Sequence, residues 1–265
     1  MTRPRAAVLN ENVLLSRVEA PVYDANHFEI FHPWEQARLR ADLTRYDGCD
    51  RVLDVGAGTG NVVTKMRAAR RVAVDLSPEM LLELRAKDPD VVLIGGLADA
   101  LPFRDGAFDA VVTYSTLHHL ADWSPLGEMR RVTRPGGTVL LDHEEAFQER
   151  GWRGAVYTAI RAGLGALARA WYWRRPGARR YQAYRRVHWP YSDGLGPIDF
   201  ALTDGGHPDP GEIEAELARL GMTVRRRHYL LLPLPMSSGW QRAADACCRR
   251  LRLGHFAIEA TRAER

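Results

Sequence analysis

The sequence predicts an α/β fold in which helices flank a doubly wound, mostly parallel sheet, and three observations carry that expectation. An apolar run, Val52-Leu53-Asp54-Val55, enters a glycine-dense turn, Gly56-Ala57-Gly58-Thr59-Gly60. A second short apolar run, Arg71-Val72-Ala73-Val74-Asp75, ends in a carboxylate 19 residues beyond Gly56. Further apolar runs then alternate with stretches of helical composition. That alternation implies right-handed crossovers and puts ligands at the carboxyl ends of the strands.

Before the first strand, residues 33–46 read as a helix whose apolar side is Trp34, Ala37 and Ala41, joined by Leu39 and Leu43. A second helix is expected from about Asn61, after the glycine turn. The Asp75 strand is followed by a helix over 78–87, a strand over 91–94 and a strand over 110–113. A helix around 124–133 precedes the strand that follows Gly136-Gly137. Later, Asp209-Pro210-Gly211-Glu212 starts an acidic helix that Gly221 stops, since Asp caps well and Pro suits a first turn. A strand over 222–232 and a last strand over 253–260 complete the pattern.

The glycine turn narrows the ligand class. A dinucleotide fingerprint, G-x-G-x-x-G, needs its last glycine where this chain has Asn61. The observed spacing favours S-adenosylmethionine over a pyrophosphate cofactor. Asp75 lies near the interval at which a carboxylate accepts hydrogen bonds from an unphosphorylated ribose. Two plainer readings stand beside these: the turn as a tight strand-to-helix connection, and Asp75 as a cap for the helix near Ser77-Pro78.

Three further motifs follow in order: Gly95-Gly96-Leu97-Ala98-Asp99-Ala100-Leu101-Pro102-Phe103, Phe108-Asp109-Ala110-Val111-Val112-Thr113, and Glu128 to Leu141 around Arg134-Pro135-Gly136-Gly137. With the glycine turn, they make the chain resemble the class I S-adenosylmethionine-dependent methyltransferases. Within these it is similar to the small-molecule branch that includes the ubiquinone and menaquinone methyltransferases. The resemblance covers roughly residues 48–145. It implies a seven-stranded Rossmann-like sheet with an antiparallel last strand, an S-adenosylmethionine cofactor and a small-molecule methyl acceptor. It also implies cofactor-binding roles for Asp54, Gly56, Ala57, Gly58, Gly60, Asp75, Leu76, Ala98, Asp99 and Ser115. Among these, the glycines take the methionine end, Asp54 supports the loop, Asp75 holds the ribose, Asp99 meets the adenine amino group, and Leu76 and Ala98 lie against the ring faces. Asp109, at a strand start, is expected to be structural.

Candidate bases lie where strands end. Tyr114-Ser115-Thr116-Leu117-His118-His119 follows the fourth strand and Asp142-His143-Glu144-Glu145 ends the fifth. His119, His143 and Glu144 are the catalytic candidates, because an imidazole titrating near neutrality suits proton removal. No metal is expected, since neighbouring strand residues point to opposite faces and at most two of the acidic cluster converge.

At 46% hydrophobic residues, the chain has enough apolar material for a substantial core. Polar Asn10, Glu11 and Asn12 interrupt its opening, so no signal segment develops there. Cys49, Cys247 and Cys248 lack a metal-ligand or disulfide pattern, and a reducing cytoplasm fits them. The vicinal pair reads as buried residues of a late helix. A net charge of +4 hides a division, because residues 1–146 are acidic and 147–265 basic.

The expected organisation is a helical cover over 1–46, a cofactor-binding core over 47–146, an inserted lid over 147–207 and the rest of the core sheet over 208–265. Ten arginines and no Asp or Glu fall within 150–191, among tryptophans and tyrosines such as Trp152, Trp171, Trp173, Tyr181 and Trp189. Such a segment suits capture of an anionic or hydrophobic substrate first, contact with a membrane surface second and nucleic acid third. Its longest uncharged runs are too short to span a bilayer, which takes about 20 residues.

Overall fold

The computed structural model describes residues 33–120, 122–145, 209–229 and 255–264, most of 19–31, and isolated positions within 9–17 and 243–250. The expected lid over 147–207 and the basic, aromatic segment 150–191 lie outside the described residues, as do the side chains of Trp34 and of residues 143–145.

Seven strands form one sheet in the order β3-β2-β1-β4-β5-β7-β6. These are β1 Arg51–Val55, β2 Arg70–Asp75, β3 Val92–Gly95, β4 Phe108–Tyr114, β5 Thr133–Glu145, β6 Met222–Tyr229 and β7 His255–Arg262. Strands β1 to β5 pair in parallel, whereas β7 runs antiparallel to both β5 and β6. The described helices are α1 Tyr23–Asn26, α2 Pro33–Leu43, α3 Pro78–Lys87, α4 Ser124–Val132 and α5 Pro210–Arg219. The predicted doubly wound sheet with an antiparallel last strand is the fold observed.

The central strands are mostly apolar because both sheet faces are covered. Leu53, Val111, Val139, Leu141 and Ile258 pack towards Leu126 and Met129 of α4 and Ile213 and Leu217 of α5. Their neighbours Val52, Ala110, Val112, Leu140 and Ala257 turn to the other face, against Leu39 and Leu43 of α2. Each fully buried aliphatic side chain contributes about 1.5 to 3 kcal/mol. Caps fix two helix starts: Ser77 Oγ accepts the Met80 N–H, and Asp209 Oδ1 accepts those of Gly211 and Glu212.

Three expectations change. The helix expected from about Asn61 is a single 3-10 turn, Val63–Lys65. The β-branched run Val62-Val63-Thr64 disfavours helix, the loop closes on Asp54, and from Met66 the chain extends until the Ala69 N–H meets the Cys49 carbonyl. On α2, Ala37 and Ala41 are exposed, and the buried stripe carries Glu35 with Leu39 and Leu43. Alanine gains little from burial, whereas Glu35 finds partners inside. Cys247 is exposed rather than buried.

Candidate active site

The strand order reverses between β1 and β4, and a crevice at their carboxyl ends is the ligand position this topology favours. Gly56, Gly58 and Gly60 all have positive φ (71°, 51° and 88°). A Cβ on Gly56 would lie 2.5 Å from Thr116 Cγ2, so glycine lets the turn touch the segment after β4. A Cβ on Gly58 would meet nothing within 4 Å. The middle of the loop therefore opens onto space where a ligand can approach main chain.

Asp75, at the end of β2, ties the loop to the neighbouring strand. Its Oδ2 accepts the Gly58 N–H at 2.7 Å and its Oδ1 accepts the Ser77 N–H at 2.8 Å. Burial raises the Asp75 carboxyl pKa, and the N–H groups of Ser77, Gly58 and Leu76 offset part of that rise. Asp75 thus braces the turn before α3 and the loop together.

Asp54 lies beneath the loop and is buried. Its Oδ2 accepts the Val63 N–H at 3.0 Å, while Oδ1 is buried with no hydrogen-bond partner. Burial, with Asp75 nearby, pushes its carboxyl up to about 7. An orphaned carboxylate oxygen below an open glycine loop fits a ligand with a cationic end.

The other predicted residues line the same end of the sheet. Leu76 follows β2, and Ala98 and Asp99 occupy the turn after β3, with half-buried Ala98 against the core. Ser115 directly follows β4 with a left-handed φ of 52°, its N–H bonded to the Asp142 carbonyl at 2.9 Å. Non-glycine residues adopt that conformation at a cost and cluster at functional sites. His118 and His119 lie in the 3-10 turn Leu117–His119, anchored by buried Leu117, their ring centroids 4.0 Å apart. The backbone of His143 and Glu144 continues β5, and their side chains fall outside the description. Asp109 is at the opposite end of the sheet, where it accepts the Arg51 N–H at 2.8 Å and Arg134 Nε at 2.6 Å.

Sequence reasoning missed a buried polar cluster beside the crevice. Arg38 of α2 donates Nη2 to Glu35 Oε1 at 2.5 Å and to Asp142 Oδ2 at 3.2 Å. Tyr114 Oη donates to Glu35 Oε1 at 2.8 Å, and Tyr229 Oη donates to Asp142 Oδ1 at 2.8 Å. Burial raises the Glu35 pKa against the pull of Arg38, and both phenols are held protonated by burial first. The available signal was Glu35 on the helical stripe shared with Leu39 and Leu43, with Arg38 three residues on.

Known proteins share this architecture. A family profile described as a methyltransferase domain matches residues 53–141. An uncharacterized methyltransferase of Mycobacterium bovis is 40% identical over 104 residues, 38% of this chain, and the chain spans only 43% of that relative. A demethylmenaquinone methyltransferase of Renibacterium salmoninarum is 38% identical over 183 residues, covering 66% of this chain and 76% of that protein.

The chain belongs to the class I S-adenosylmethionine-dependent methyltransferases.

The solved DhpI complex with S-adenosylhomocysteine shares the methyltransferase fold, with a TM-score of 0.58 at 18% identity over 99% of this chain and 100% of that one. Among the described residues no helix is long and apolar enough to cross a membrane.

Proposed function

We propose that this methyltransferase moves a methyl group from S-adenosylmethionine to an oxygen, nitrogen or carbon atom of a small hydrophobic or anionic acceptor. The observation that carries this reading is the Gly58 to Asp75 hydrogen bond, which joins an open glycine loop to a carboxylate at the point where the strand order reverses. The names of relatives such as the Renibacterium demethylmenaquinone methyltransferase favour a hydrophobic, quinone-like acceptor.

S-adenosylmethionine, when bound, supplies a methyl group already activated on sulfur. The protein's task is then to align and to desolvate, and alignment alone is worth about 7 to 11 kcal/mol in well-oriented systems. Gly56, Ala57, Gly58 and Gly60 are proposed to take the methionine end on main-chain atoms, with Asp54 turning its unpaired oxygen towards the cationic group. Asp75 would accept from the ribose hydroxyls, Leu76 and Ala98 would flank the base, Asp99 would take its amino group, and Ser115 would add a polar contact. His119, His143 and Glu144 are proposed bases, needed where the acceptor must lose a proton and worth about 10² to 10⁴-fold. The basic, aromatic segment 150–191 is proposed to receive the acceptor, by ion pairing if it is anionic and by apolar contact if it is hydrophobic.

Incubating the protein with methyl-labelled donor and a fractionated cell extract tests this proposal. Label is expected in a small-molecule fraction, in the lipid-quinone pool if the acceptor is quinone-like. Donor binding without label in any fraction would overturn the catalytic reading, and label confined to RNA would replace the acceptor class.

A further inference from the structure

The leading segment grips the glycine loop at two points on either side of Gly60. At the first, Thr59 Oγ1 donates to Asp24 Oδ1 at 2.6 Å. Lys87, the last residue of α3, donates to the other Asp24 oxygen at 2.5 Å and to the Thr59 carbonyl at 3.0 Å. At the second, Asn61 Oδ1 accepts from Gln36 Nε2 and from Lys65 Nζ, each at 2.9 Å, and the Asn61 carbonyl accepts from the same ammonium at 2.5 Å.

The two grips differ in their access to solvent. Asp24 and Lys87 keep 39% and 35% of their side-chain surface exposed, so water and salt reach them. Lys65 is mostly buried, and burial, with Lys87 nearby, pulls its ammonium down to about 8. The Asn61 grip belongs to the folded loop, whereas at the first grip the Asp24–Lys87 ion pair that closes over buried Thr59 is one that water can open. Opening it costs charge-assisted bonds, which are stronger than neutral ones but weaken as ionic strength rises.

We propose that Asp24, Lys87 and Thr59 form a releasable strap that sets how fast the methyl donor and its demethylated product exchange with the glycine loop. The proposal rests on reading that loop as the donor site. Asp24 and Lys87 are positioning residues in it, acting on the loop through Thr59.

Stopped-flow displacement of S-adenosylhomocysteine from the full-length protein tests the strap. Asp24→Asn and Lys87→Met should each speed dissociation about three- to tenfold, and the double variant should be no faster than the quicker single. Raising NaCl from about 0.05 to 0.5 M should speed release from the wild type but hardly from Asp24→Asn. Lys87→Arg should keep the slow rate, and Arg134→Met, which breaks an ion pair with Asp109 at the opposite end of the sheet, should leave the rate unchanged. If Lys87→Met does not fold, the Asp24→Asn rate and its salt dependence decide. Unchanged dissociation in the strap variants, or equal acceleration in Arg134→Met, would overturn the proposal. No binding by the wild type would instead refute the donor-site reading.

Discussion

Asp54→Asn should make the protein more stable above neutral pH while weakening its hold on the donor. Burial first, then the proximity of Asp75, lifts the Asp54 carboxyl from 3.8 to about 7. Between those values the folded state keeps a proton that the unfolded chain has released. The stabilisation from that proton is complete below the unfolded value and is lost as pH rises through the folded one. At about 1.36 kcal/mol per pKa unit, ionised Asp54 costs the fold about 4 kcal/mol at pH 8. From this group alone, wild-type stability should fall by about 2.5 kcal/mol between pH 5 and pH 8. Asparagine carries no charge and can still accept the Val63 N–H, but its amide takes the unpaired position of Oδ1 at a cost of about 1 to 3 kcal/mol. The net gain at pH 8 is therefore about 1 to 3 kcal/mol. Urea unfolding of both proteins at pH 5, 6.5 and 8 measures it, and S-adenosylhomocysteine calorimetry on the same samples reads the loss of affinity. Equal pH dependence in the two proteins would refute the reasoning, as would a variant less stable at pH 8.

The two glycines of the loop should separate binding from folding. Gly58→Ala places a methyl in open space at positive φ, so it should cost about 1 kcal/mol of stability yet reduce S-adenosylhomocysteine affinity at least tenfold, whereas Gly56→Ala should unfold more readily because its methyl meets Thr116. Tyr229→Phe removes the hydroxyl between Asp142 and Arg38 and should lower stability by about 1 to 3 kcal/mol in urea titrations, leaving the donor affinity within twofold. If His119 or His143 removes a proton, its alanine variant should lose the ascending limb of the pH–rate profile once an acceptor is in hand, and the other should keep it.

Most of the fold was legible because the strands buried on both faces announce themselves. Val52-Leu53, Val111-Val112 and Leu140-Leu141 are apolar runs ended by glycine, serine or acidic residues, and Ser77-Pro78 and Asp209-Pro210 mark helix starts that the structure repeats. The turn after Gly60 was misread because the alternation of strand and helix does not register a loop wound around a buried carboxylate. The face of α2 was misread because hydropathy sets Glu35 outside, while Arg38 and Tyr114 make its burial affordable. Within the site, Asp54, the glycines and Asp75 were visible as a local motif. Asp24, Lys87 and Tyr229 were not, and Asp142 was read only as part of the strand-end acidic cluster, because their meaning lies in contacts between segments far apart in the chain, and no local spacing reports that Tyr229 donates to Asp142.

Calorimetric titration of S-adenosylhomocysteine into the wild type and Asp75→Ala tests the donor site most directly. The wild type should bind one equivalent, and the variant, still folded by circular dichroism, should bind about 10- to 100-fold more weakly as the charge-assisted contacts to the ribose disappear. An absence of binding heat in the wild type at every temperature tried, or an unchanged affinity in Asp75→Ala, would contradict the assignment of this crevice to the methyl donor.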